Sequence, residues 1–105
     1  GKHEFLKRLA RVFLQEMPVA MADFRAAIST HDSHRLERAA HRLKGAAGTL
    51  SAKRLAAAAA TLEHAARVGD GKSNADGMDE AFRAVEELAV ELVSELELLI
   101  NGETQ

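Results

Sequence analysis

The sequence predicts an all-α protein, an antiparallel up-down-up-down four-helix bundle, and three observations lead there. Ala and Leu, leaders of the helix scale, supply 21 and 13 of the 105 residues, whereas Pro occurs once and Tyr and Trp are absent. Apolar side chains recur at the 3.6-residue period in four successive segments, and no period-2 stretch competes with them. The connections between segments are short, which favours antiparallel packing of neighbours. A length of 105 residues suits one domain spanning 1–105, and 47% hydrophobic with 29% charged residues argues for a packed core over disorder.

The first helix is expected over about residues 4–30, with Phe5, Leu6, Leu9, Val12, Phe13, Met17, Met21, Phe24 and Ile28 forming one apolar stripe. Pro18 lacks an N–H and crowds the carbonyl four residues earlier, so a kink or split is expected near it. Thr30-His31-Asp32-Ser33 supplies turn and capping chemistry. The second helix, about 33–50, places Leu36, Ala39, Ala40, Leu43, Ala47 and Leu50 on one face. Ser51 reads as an N-cap for the third, about 52–68, whose stripe is Leu55, Ala59, Leu62 and Ala66. The Gly-rich polar stretch from Gly69 to Asn74 reads as a loop. The fourth helix, about 76–100, has the strongest pattern: Met78, Phe82, Val85, Leu88, Ala89, Leu92, Leu96, Leu99 and Ile100.

Several function classes are excluded or disfavoured at once. The chain is too short for a two-lobed ATP-using kinase and carries neither a Gly-rich lid nor a P-loop. No apolar run approaches the roughly 18 residues of a membrane span, and no signal-peptide pattern opens the chain. With no Cys there is no disulfide framework, and a cytoplasmic location is expected, without direct membrane contact. The net charge of −2 conceals a division: residues 1–54 carry 11 Lys+Arg and 5 Asp+Glu, residues 55–105 carry 3 and 11, hence +6 and −8. Either different helices solvate themselves with different charges, or one face meets an acidic partner. Nucleic acid fits poorly as that partner, because the whole chain is acidic and has no Tyr or Trp for base stacking.

The residues that do not look like scaffold lie around His41. At about 100° per residue, His41 points roughly 150° from the centre of its helix's core stripe and must face solvent. Gly45 and Gly48, four and seven residues on, fall on the same side. Each costs about 1 kcal/mol relative to Ala in a helix interior, in a chain that uses Ala freely. Bulk has been removed beside an exposed imidazole. Lys44 places an ammonium one turn from the ring. A neutral imidazole is a nucleophile, and a phosphoryl group on it needs room for three oxygens and a nearby cation. On the residues alone, three readings stay open: a phosphoryl-carrying His, an ordinary surface His, and a metal ligand. For metal, the five His include no pair at i, i+4, and His34 and His41 lie about 10 Å apart along the axis, too far for bonds of about 2 Å to one ion.

The stretch AHRLKGAAGTLSAKRLAAAAATLEHAAR, residues 40–67, resembles the histidine-containing phosphotransfer (HPt) domain family of hybrid sensor kinases and chemotaxis kinases. The match lies in His41, Leu43, Lys44, Gly45, Ala46 and Ala47, with Phe13, Ala27, Asp32 and Leu36 upstream and Leu62, Glu63 and Arg67 downstream. It covers about residues 5–100. The resemblance implies that His41 is the phosphoacceptor in a multistep His-Asp phosphorelay, taking the group from a receiver-domain Asp and passing it to another receiver. It implies that Lys44 stabilises the phosphoryl group and that Glu63 orients the imidazole. Gly45, Gly48, Arg38, Arg42 and His34 would form the receiver-docking face. No cofactor is expected in the domain itself, Mg2+ being expected on the receiver. The isolated domain is expected to be monomeric and a piece of a larger protein. Ser51 departs from the pattern, standing where the family usually has Gly at the end of the active helix. The alternative is a non-catalytic helical assembly module in which His41 is incidental, a reading that leaves the two glycines without a purpose.

Overall fold

The computed structural model describes residues 1–69 and 75–102, and within them the chain is helical throughout, with no strand. The helices are α1 (Lys2–Ser29), α2 (Ser33–Thr49), α3 (Lys53–Gly69) and α4 (Ala75–Gly102). Each packs against two neighbours, α1 on α2 and α4, α3 on α2 and α4, which closes a four-helix bundle. The expected loop at residues 69–74 lies outside the described residues apart from Gly69, which ends α3.

Each helix contributes one fully buried large side chain to the centre of the core: Phe24, Leu36, Leu62 and Val85. Burial of each is worth about 1.5–3 kcal/mol. Phe24 also meets Phe82 of α4 in a tilted pair with ring centroids 5.8 Å apart. The α2 and α3 stripes are buried as their periodicity requires, with Leu50 half-buried at the edge. On α1 the stripe is buried only in part. Phe13, Met17, Met21 and Phe24 are inside, whereas Phe5, Leu6 and Val12 are exposed. For Phe5 and Leu6 the cause is length: α1 has 28 residues and α2 only 17, so about 42 Å of helix faces about 26 Å, leaving the first turns of α1 uncovered, whereas Val12 adjoins buried Phe13 and is turned out of the core.

Two local expectations are corrected. Pro18 does not split α1, which is assigned as one helix from Lys2 to Ser29 with Pro18 inside it. Pro18 lies on the exposed face, so its ring stands in solvent, while Met17 and Met21 anchor both sides in the core. Ser51 does not open α3; it closes α2. Its φ is +59°, its N–H donates to the Gly48 carbonyl at 3.0 Å, and the Ala52 N–H donates to Ala47 at 2.8 Å. This is a Schellman termination with Ser in the left-handed position. α1 ends the same way, with His31 at φ +55°, His31 N–H on Ile28 and Asp32 N–H on Ala27. Asp32 then caps α2 by accepting from the Arg35 N–H at 3.1 Å.

A left-handed non-glycine residue costs about 1–2 kcal/mol. Ser51→Gly is therefore expected to raise stability by about 1 kcal/mol, read as an upward shift of the urea midpoint with unchanged slope. A midpoint that falls would show that the Ser51 side chain stabilises the turn in some other way.

Candidate functional site

α2 and α3, joined through residues 50–52, carry the site between them. His41 sits on the outer side of α2, its side chain 66% exposed. Beneath it lies Glu63 of α3, the one buried charged side chain among the described residues, at 6% exposure. Its burial follows from sequence geometry: Glu63 falls about 70° from the centre of the α3 stripe, on the stripe's edge. The imidazole Nδ1 and Glu63 Oε2 are 2.9 Å apart, and Lys44 Nζ reaches Glu63 Oε1, also at 2.9 Å. The carboxylate is thus held from both oxygens. Lys44, foremost, and then His41 hold the Glu63 carboxyl below its ordinary value, against the opposing pull of burial.

An ionised carboxylate can only accept. The proton of the neutral imidazole therefore resides on Nδ1, and the lone pair is on Nε2. Among the described residues Nε2 has no hydrogen-bond partner, and His41 borders a depression of about 600 Å³ together with Arg38, Arg42, Asp23 and Glu63. A Cβ built on Gly45 or on Gly48 would meet nothing within 4 Å, so both glycines border open solvent and neither is required by internal packing. Arg38 and His34 are exposed. Arg42 is 74% exposed and reaches Asp23 Oδ2 of α1 at 3.3 Å.

Two participants, Asp23 and Glu37, were not visible in the sequence. Asp23 gathers both Arg35, with Nε 2.7 Å from Oδ1, and Arg42, so that α1 fixes the direction of two arginines on α2. Arg67 bridges Glu63 Oε2 at 3.2 Å and Glu37 Oε2 at 2.9 Å. No pattern within one helix points to the Asp23 and Glu37 contacts, since they depend on how neighbouring helices meet. The +6 and −8 halves also meet inside the molecule, through Arg25 with Glu86 at 2.9 Å and Arg54 with Glu91 at 3.8 Å. Those exposed pairs are worth at most about 1 kcal/mol each. Among the described residues no group of three or more His, Asp or Glu could hold a metal ion, and no helix is long and apolar enough to cross a membrane.

A four-helix bundle with one outward imidazole, held at its inner nitrogen by a buried carboxylate and bare at the other, defines a class of small helical domains organised around a single surface histidine. The family model described as the Hpt domain matches residues 8–102. The chain belongs to the Hpt family, the histidine phosphotransfer modules of phosphorelays in two-component signalling. Neither a curated protein nor a solved structure matches it.

Proposed function

We propose that this domain is a phosphocarrier in which His41 Nε2 accepts a phosphoryl group from a receiver-domain aspartyl phosphate and passes it to the Asp of another receiver. The observation that carries the reading is the Nδ1 to Glu63 contact, which leaves the nucleophilic lone pair on the solvent side. The Nε2 lone pair attacks phosphorus, the bond from phosphorus to the aspartyl oxygen breaks, and the carboxylate leaves on the receiver. The ring becomes a cation that keeps its Nδ1 proton against Glu63. Lys44, one turn along the same helix, balances the phosphoryl oxygens. Transfer to the second receiver runs the same steps in reverse.

Arg38, Arg42 and His34 supply positive charge toward the acidic site of a receiver, which speeds encounter at low salt. An up-down-up-down path for the four helices fits the three-residue links at 30–32 and 50–52 between packed neighbours. In this reading the domain works in the cytoplasm and needs no cofactor of its own, and the magnesium ion used in the transfer sits on the receiver. The test is incubation with a phosphorylated receiver: acid-labile, alkali-stable phosphate should appear on the domain. Its failure to appear with any cognate receiver would favour the assembly reading.

The glycines provide a second check. Gly45→Ala and Gly48→Ala are each expected to stabilise α2 by about 1 kcal/mol, since the added methyl meets nothing. The same methyls should hinder close approach of a receiver, slowing transfer about tenfold, because small misplacements of reacting groups are costly. Uptake from a small donor such as phosphoramidate should slow much less. Equal slowing with both donors would remove the docking role of the glycines.

A further inference from the structure

Arg67 holds a position that the phosphocarrier reading leaves unexplained. Glu63 is buried, and its two oxygens take three donors: His41 Nδ1 and Arg67 on Oε2, Lys44 on Oε1. A phosphoryl group arriving on Nε2 draws on Lys44, whose ammonium is engaged at Oε1. Until the bond to phosphorus forms, the neutral ring brings Glu63 no charge, so a buried carboxylate with Lys44 as its sole counter-ion would hold that lysine during the approach. Arg67 changes the balance. Its guanidinium fork is divided between Glu63 on its own helix and Glu37 on α2, at 3.2 and 2.9 Å. A lysine ammonium, being compact, does not reproduce the planar fork that spans two carboxylates.

Building on the phosphocarrier reading, we propose that Arg67 is a positioning residue: the resident counter-ion of Glu63, which frees Lys44 to move to the phosphoryl group. Glu37 holds Arg67 in that place. Arg67 acts only through Lys44 and Glu63 and has no contact with the reacting atoms. The arrangement lets Arg67 stay on Glu63 beneath the ring while Lys44 neutralises the charge above it.

The experiment uses potassium phosphoramidate, which needs no receiver. Nε2 attacks phosphorus, the donor's P–N bond breaks, and its nitrogen leaves as ammonia. Arg67→Met is expected to slow phosphorylation about fivefold, the factor in a rate that one such ion pair supplies. In a Lys44→Met background the same Arg67→Met change should have no further effect. The Lys44 ammonium signal in nitrogen-15 NMR should move on phosphorylation of the wild type and move less in Arg67→Met, while the Nδ1–H tautomer of His41 is retained. Arg67→Lys should recover part of the rate. If Arg67→Met fails to fold, Glu37→Gln loosens the same guanidinium and should show the same dependence on Lys44. Equal slowing by Arg67→Met with and without Lys44, or a Lys44 signal indifferent to phosphorylation, would overturn the proposal and leave the phosphocarrier reading standing. A wild type that takes no phosphate on His41 from phosphoramidate or from receivers would overturn both.

Discussion

His41→Gln is expected to abolish phosphoryl uptake completely while leaving the protein folded, with a stability change of about 0.5 kcal/mol or less. The loss is chemical. An amide nitrogen has no available lone pair, so the variant lacks the nucleophile that the imidazole supplies at this position. The fold is spared for two reasons. The His41 side chain is 66% exposed, so little apolar contact is lost. Glu63 also keeps Lys44 and Arg67, so no buried charge is orphaned. Phosphate bound after incubation with a labelled receiver, together with the urea midpoint, checks both halves. Wild-type uptake by the variant would move the site elsewhere, with exposed His34 and His64 the first places to look.

Glu63→Gln should have the second largest effect, lowering the transfer rate on the order of tenfold to a hundredfold, as loss of a group that orients a reactive ligand commonly does. Both oxygens of Glu63 accept from donors in the native site. Gln replaces one of those oxygens with an NH2 group, so it must turn a donor toward either Lys44 or the pair of His41 and Arg67. The first choice displaces the ammonium. The second releases the Nδ1 proton from its partner and allows the tautomer whose Nε2 carries hydrogen and cannot attack. Nitrogen-15 shifts of the ring distinguish the two, and an unchanged tautomer with an unchanged rate would remove Glu63 from the mechanism.

The same substitution makes a prediction about pH. In the folded protein Glu63 ionises below its ordinary value of 4.5, chiefly through Lys44. A group with a depressed folded pKa binds fewer protons folded than unfolded over that window. Its contribution is therefore fully present above pH 4.5 and is lost as the pH falls through the lowered folded value. The stability of the wild type should fall more steeply with acidification in that range than that of Glu63→Gln. Parallel curves would refute the assignment.

The helical elements were legible because apolar spacing is a local property. The α2 and α3 stripes, including Leu43 and Leu62, needed no knowledge of the partner helix to be located. Phe5 and Leu6 obey the same spacing and are nonetheless exposed, because coverage depends on how far the neighbouring helices extend. The split that Pro18 suggested is absent, its ring lying on the exposed face while Met17 and Met21 hold both sides of it in the core. Ser51 misled because a hydroxyl suited to an N-cap also occurs at the left-handed end of a preceding helix, and only the hydrogen bonds of Ser51 and Ala52 distinguish the two. At the site, the exposure of His41 and the cleared space at Gly45 and Gly48 follow from angles within one helix. The contacts of Asp23 with Arg35 and Arg42, and of Glu37 with Arg67, depend on the meeting of separate helices, for which a single sequence holds no signal of comparable strength.

The confinement of the charge cluster of His41, Lys44, Glu63, Arg67 and Glu37 to α2 and α3 also bears on how it is assembled. His41 and Glu63 are 22 residues apart in the chain, and Arg67 and Glu37 are 30 apart. A helical hairpin with one three-residue connection closes at small entropic cost, and contacts of short sequence separation form quickly. Helix ends fray first, and here the outer turns of α1 and α4 are the long, thinly covered ones. The carboxylate beneath the imidazole and the residues that hold it lie on the two shorter helices, away from those outer turns.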